Sequence, residues 1–143
     1  MFRNLTTNKN IFSLAGGIFL LSVVYASLIN SAEVNSWECS KFENANIIGD
    51  GGVYLGKLGP SWMTDSIFNS SSEHSSSWSS SSIFNNTSRF GNSYSDTSVF
   101  NDLASNPPVI VGDSGMIGYL SIGPAWKSDR FSPYDIKYTC DWD

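Results

Sequence analysis

Apolar and polar positions change their pattern sharply along this chain. From Ile11 to Ile29 it is apolar, interrupted only by small residues such as Ser13, Gly16, Gly17 and Ser22. Beyond that run no amphipathic helical period exceeds two turns, and Gly, Pro, Asn and Ser punctuate everything. Short apolar stretches bracket turn residues instead. Ile47-Ile48 and Val53-Tyr54-Leu55 flank Asp50-Gly51-Gly52, while Val109-Ile110-Val111 and Met116-Ile117 flank Asp113-Ser114-Gly115. Those turn residues accept the positive φ that a tight reversal needs, so the pattern predicts two β-hairpins, over 47–58 and 109–122. Each runs on into a Gly-Pro-x-Trp segment, Gly59-Pro60-Ser61-Trp62 and Gly123-Pro124-Ala125-Trp126, so the second hairpin reads as a copy of the first. The alternation of Ile136, Tyr138 and Cys140 within Tyr134 to Trp142 predicts a closing strand that returns Cys140 beside Cys39.

Between the hairpins, over 61–101, a different unit repeats. Ser66-Ile67-Phe68-Asn69, Ser82-Ile83-Phe84-Asn85 and Ser98-Val99-Phe100-Asn101 lie sixteen residues apart. Ser61-Trp62, Ser77-Trp78 and Ser93-Tyr94 precede them in the same register, giving S-[WY]-x-x-x-S-[IV]-F-N followed by seven freer residues. A disordered tether is typically poor in aromatic and β-branched residues. Each unit here supplies a Trp or Tyr, an Ile or Val, and a Phe. The expectation is that the Ile-Phe and Val-Phe pairs anchor the tract to a core while the polar residues cross the surface as turns, since such units cannot bury an apolar face alone. The fold class expected is a small, mainly β single domain, 33–143, of hairpins and long ordered loops with little helix after the leader.

Arg3 and Lys9 ahead of the apolar run give 1–26 the profile of a signal peptide, with Val24-Tyr25-Ala26 as the preferred cleavage site. Cleavage after residue 32 is the alternative. An uncleaved anchor is another, because the nineteen residues from Ile11 to Ile29 nearly match the ~20 that cross a bilayer. Either way the domain is exported, to the periplasm or beyond, and touches a membrane only if the leader stays attached. Without the leader, six Lys/Arg face thirteen Asp/Glu. That balance argues against nucleic acid, whose affinity comes largely from neutralised phosphates. Cys39 and Cys140 are the only cysteines, and export places them where disulfides persist, so they are expected to pair. A Cys/His zinc site is disfavoured because the sole histidine, His74, lies in the serine tract.

Candidate chemistry is sparse. Gly112-Asp113-Ser114-Gly115 looks like the nucleophile turn of trypsin-like proteases, but it continues Met116-Ile117, and its counterpart in the first hairpin, Gly51, marks the position as a turn. Asp65, Asp96, Asp102 and Asp129 offer oxygen ligands without a calcium-loop spacing, and capping of turns explains them equally well. The expectation is therefore no catalytic residue, cofactor or metal. Trp62, Trp78, Tyr94 and Trp126 stand among Ser, Asn and Gly, a composition suited to binding surfaces. Facing inward they are core, which is the favoured reading in so small a domain; facing outward they stack on sugars or peptides. Trp62 and Trp126, following Gly-Pro turns, read as structural, which leaves Trp78 and Tyr94 as the candidate ligand contacts.

The sixteen-residue SIFN-type units, with Arg89-Phe90-Gly91-Asn92-Ser93-Tyr94-Ser95 between two of them, then Asn106-Pro107-Pro108-Val109-Ile110-Val111 and the Gly-x-Ile-Gly-Tyr-Leu hairpin, resemble a group of exported bacterial proteins with tyrosine- and glycine-rich units of the same length. The likeness spans roughly Asp50 to Pro133. The spacer Asn69 to Ser81 departs from it by substituting serine for tyrosine and glycine. The group has no established activity, so the resemblance implies an exported, repeat-bearing bacterial domain and no mechanism. The function expected is a non-enzymatic structural or interaction module, with an envelope carbohydrate-binding domain as the alternative and a hydrolase as a remote third. Partners would be envelope polysaccharide or another exported protein.

Overall fold

The computed structural model describes residues 33–124 and 126–143. The leader assignment, 1–26, lies outside them. The described chain is mainly β, built on one five-stranded mixed sheet with two short helices. The first predicted hairpin is β1 (Asn46–Gly49) and β2 (Val53–Lys57), and the second is β3 (Val109–Gly112) and β4 (Gly115–Leu120). Gly51 and Gly52 turn the first with φ of 75° and 77°, a conformation in which a Cβ would be strained. The hairpins join through antiparallel β1 and β3, which pair Asn46 with Val111 and Ile48 with Val109. The sheet order is β2-β1-β3-β4-β5, the last strand, Arg130–Phe131, lying parallel to β4.

The duplication read from the sequence extends to hydrogen bonding. Lys57 donates its N–H to Asp65 O, and Tyr119 donates to Asp129 O, each at 2.8 Å. Leu58 donates to Ala45 O and Leu120 to Pro108 O. The parallel Lys57–Ser66 bridge beside β2 is the counterpart of β5 beside β4. Each hairpin thus carries the chain segment that follows its Gly-Pro turn along its outer edge.

The closing segment is not a strand. Pro133–Thr139 form a helix, α2, and a single turn, α1, covers Cys39–Phe42. Helix-start signals override the alternation: the Ser132 hydroxyl accepts the Asp135 N–H, Pro133 occupies the first turn, and Asp135 adds charge favourable to the helix N-terminus. Ile136 and Cys140, four residues apart, share one side of the turn and face inward, while Tyr138 points into solvent. The consequence for the cysteines survives the change of element. Cys39 opens α1, Cys140 caps α2, and the two are disulfide-bonded with Cα atoms 5.5 Å apart. One continuous core holds Phe42, Ile47 and Leu55 from the N-terminal half, Ile67, Ile83 and Val99 from the repeats, and Ile110, Leu120, Phe131 and Ile136 from the C-terminal half. The rings of Phe42 and Phe131 meet edge to face at 5.1 Å.

The repeat tract consists of successive tight turns whose first residues advance by three, three, three, three and then four positions, which sums to the sixteen-residue period. In the central unit those first residues are Ser76, Ser79, Ser82, Asn85 and Ser88, with Asn92 opening the next. The carbonyl of a turn's first residue accepts the N–H three residues on, as from Asn85 to Ser82 and from Ser88 to Asn85. Its side chain accepts the N–H two residues on: Ser82 from Phe84, Asn85 from Thr87, Asn92 from Tyr94, and so at every such position from Ser66 to Asn101 except Ser88. Ser88 accepts from Gly91 instead. A backbone without helix or sheet partners must satisfy its donors locally, and Ser and Asn are the residues that do so. The serine richness of Asn69 to Ser81 is therefore the chemistry of a regular structure.

Candidate functional site

The three units present equivalent residues in equivalent settings. Ser66, Ser82 and Ser98 are fully buried, as are Ile67, Ile83 and Val99. Asn69, Asn85 and Asn101 each send the side-chain amide back to the carbonyl six residues earlier, at 2.9, 3.0 and 2.9 Å. Phe68, Phe84 and Phe100 lie half-buried beside the C-terminal segment: Phe84 and Phe100 are 6.0 Å apart, Tyr134 of α2 packs 5.8 Å from Phe100, and Phe68 packs 6.4 Å from Trp142. Because the inward residues repeat, the outward residues repeat too.

Those outward residues are the aromatics. Trp62, Trp78 and Tyr94 are the third residues of corresponding turns, and they are 77, 90 and 92% exposed. This overturns the inward reading. Trp62 and Trp126, read as structural, are also exposed, as is Trp37. The cause is the three-residue cadence: with the first residue of each turn tied to the backbone and the Ile or Val inserted in the core, the third residue of the turn four positions before the buried serine projects to solvent. Trp78 and Tyr94 thus have the exposure that a contact residue needs. A hollow of about 320 Å³ beside Tyr94 is lined by Thr87, Ser88, Arg89, Asn92 and Ser95. Arg89 is committed, donating to the Asp50 carboxylate at 3.1 Å and to the Asp50 carbonyl at 2.7 Å.

A second buried register runs through the units, signalled in the sequence only by its sixteen-residue spacing. Leu58, His74 and Phe90 are also sixteen residues apart and are all buried, each nine residues before the buried Ile or Val of its unit. His74 thus fills a core slot in the serine tract. Its ring stands against that of Tyr54, its Nδ1 lies 3.4 Å from Ser81 O, and its Nε2 lies 3.7 Å from the exposed Glu73 carboxylate. Burial, with the Asp65 carboxylate nearby, pushes the Tyr54 hydroxyl above its ordinary pKa.

The other candidates are dispersed. Ser114 sits at the exposed tip between β3 and β4, above a hollow of about 430 Å³ whose other lining includes Lys41, Glu43 and Asp113. His74 packs against the opposite hairpin, on Tyr54 of β2, and does not approach Ser114 as a base would. Asp65 and Asp129 serve through their carbonyls as acceptors for β2 and β4. Asp96 braces the tract's exit: its carboxylate accepts both the hydroxyl and the N–H of Ser105, which holds it below the usual carboxylate range. Among the described residues no three His, Cys, Asp or Glu side chains converge as metal ligands, and no helix is long and apolar enough to cross a membrane.

Comparison with known protein families, with curated proteins and with solved structures found no match to this chain.

Proposed function

We propose that this chain is an exported, non-enzymatic interaction module whose turn tract displays a binding face. The observation that carries the reading is the exposure of Trp62, Trp78 and Tyr94 at one turn position in successive units. Burying such a ring contributes roughly 1.5–3 kcal/mol, and folding alone gives no reason to forgo that gain three times in register. Scattered surface aromatics need no explanation; a periodic set points to a partner. The Cys39–Cys140 bridge fits an oxidising compartment, and the signal-peptide profile of 1–26 supplies the route. The resemblance to exported bacterial repeat proteins supports the same assignment.

The test is cosedimentation with envelope preparations from an expressing bacterium, comparing the exported wild-type protein with the Trp62→Ala/Trp78→Ala/Tyr94→Ala variant. All three side chains are exposed, so the variant should keep its melting temperature. Binding by the wild type and loss in the variant are expected. Equal sedimentation of the two proteins, or none by either, overturns the proposal.

A further inference from the structure

We infer that the aromatic face recognises an uncharged, linear glycan, with Trp62, Trp78 and Tyr94 each stacking on a sugar ring. The inference rests on the interaction-module reading and gives it a ligand class.

The first argument is the polar setting of the rings. Each is separated in sequence from the next unit's ring by a full run of turns whose exposed residues are mostly Ser, Asn, Thr and Asp, with Glu73 and Arg89 the other charged ones. A protein partner is best gripped by clustered anchors in one water-excluded patch, and an interfacial lipid surface by a continuous apolar face flanked with basic residues. Neither matches single rings set in hydroxyls and amides. A pyranose does: its C–H face lies against the electron-rich face of an aromatic ring, and its equatorial hydroxyls reach outward to short polar side chains. The hollow beside Tyr94, with Asn92, Thr87 and Ser95 on its walls, offers such groups at the edge of the ring.

Charge selects among glycans. Between Ser61 and Ser105 the acidic residues are Asp65, Glu73, Asp96 and Asp102, and the one Lys or Arg is Arg89, already paired with Asp50. A uronate, sulfate or phosphate along the polymer would meet these carboxylates with Arg89 as the one Lys or Arg, already engaged by Asp50, so the complementary ligand is uncharged.

Periodicity supplies the third argument. Three equivalent contacts suit a ligand that repeats, because each further contact is intramolecular once the first has formed. Loss of one ring then weakens binding without ending it, whereas loss of all three ends it.

The experiment titrates the exported protein with cellohexaose, N-acetylated chitohexaose and maltohexaose, and with a galacturonic acid oligomer of the same length as the charged control. Tryptophan fluorescence and calorimetry follow the binding. Expected are saturable binding and a fluorescence change with at least one neutral chain, no binding of the galacturonate, and a fivefold or greater weakening, equivalent to about 1 kcal/mol or more, for Trp78→Ala and for Tyr94→Ala. Trp78→Phe should restore most of the affinity. Binding that is equal for neutral and charged chains, binding retained by the triple variant, or no binding of any neutral chain overturns the inference. Should the variant lose envelope sedimentation while no neutral glycan binds, the interaction module stands and only the ligand class falls. Should sedimentation be unaffected, both fall.

Discussion

The imidazole of His74 stands edge-on to the phenol ring of Tyr54, with centroids 5.1 Å apart and ring planes at 83°. In the neighbouring units the same slot holds Leu58 and Phe90, so an apolar residue suffices there. His74→Leu and His74→Phe should therefore keep or raise stability toward urea at pH 7, while His74→Ala leaves a void and costs about 1–3 kcal/mol. His74→Asp, a buried charge without a partner, should cost more than either. Chemical unfolding of the four variants checks the order.

The asparagine that ends each tetrapeptide closes two turns at once. Its amide donates to the carbonyl six residues back, and its oxygen accepts the N–H two residues ahead. Asn85 is the most buried of the three. Asn85→Ala should cost about 1–3 kcal/mol, more than Asn69→Ala or Asn101→Ala, where water reaches the abandoned groups. Asn85→Asp keeps the acceptor but sets a buried carboxylate against the Ser79 carbonyl oxygen, and at pH 7 should cost at least as much as Asn85→Ala. Thermal unfolding separates these outcomes.

Gly91 stands where a side chain would run into the backbone of the preceding turns. A Cβ there would lie 2.2 Å from Asn85 O and 2.4 Å from Ile83 O. Neither carbonyl is the far end of a flexible side chain, so Gly91→Ala should lower stability by roughly 2 kcal/mol or more through backbone displacement. Faster hydrogen exchange in the central turns is expected to accompany it.

Cys39 and Cys140 close a loop of 101 residues. In the chain-entropy account such a crosslink contributes up to ~4.7 kcal/mol, and most of that should vanish in a Cys39→Ser/Cys140→Ser variant or on reduction. The comparison is the urea midpoint of oxidised and reduced protein. A midpoint that does not move would show that the folded state gains nothing from the bridge.

Stability should decline at both ends of the pH range. Asp96, held by Ser105, and Glu38, held first by its hydrogen bond from Lys41, have lowered pKa values. Their stabilisation is present above the ordinary carboxylate pKa of about 4 and is lost as pH falls through the lowered value. Tyr54 has the opposite sign: its pKa is raised, so its contribution is intact below about pH 10 and is lost as pH climbs through the raised value. Melting temperature against pH, with Asp96→Asn flattening the acid limb and Tyr54→Phe the alkaline one, tests both signs.

The hairpins, the anchoring role of Ile67, Ile83 and Val99, and the cysteine pairing were legible because each rests on short-range chemistry: turn residues, alternation, or the exclusion of alternatives. The strand expected at Tyr134 failed where two local signals competed, since a Ser-Pro-x-Asp start and an inward pair at Ile136 and Cys140 outweighed alternation. The inward placement of the tryptophans failed for a different reason. It assumed that a small domain buries whatever rings it has, whereas Trp78 and Tyr94 are directed by the turn cadence and not by their hydrophobicity. That cadence was itself written in the spacing of Ser79, Ser82, Asn85 and Ser88, but its meaning depends on hydrogen bonds that pattern alone does not reveal. His74 stayed hidden because a polar residue in a serine run does not announce a core position unless it is aligned with Leu58 and Phe90.

The tract leaves the sheet after β2 and rejoins it at β3, beside the strand pair that holds the two hairpins together. Its backbone bonds are nearly all local, so the sheet fixes where the tract departs and returns, while each unit is held by its own turns and by the Ile or Val it places in the core. Slipping one residue would move every Ser and Asn off its turn and every Ile off the core, so the gene should tolerate gain or loss of codons here only in whole blocks of sixteen. Evolution can then lengthen this molecule the way one adds links to a bracelet, with the clasp unaltered and one more ring on display per link.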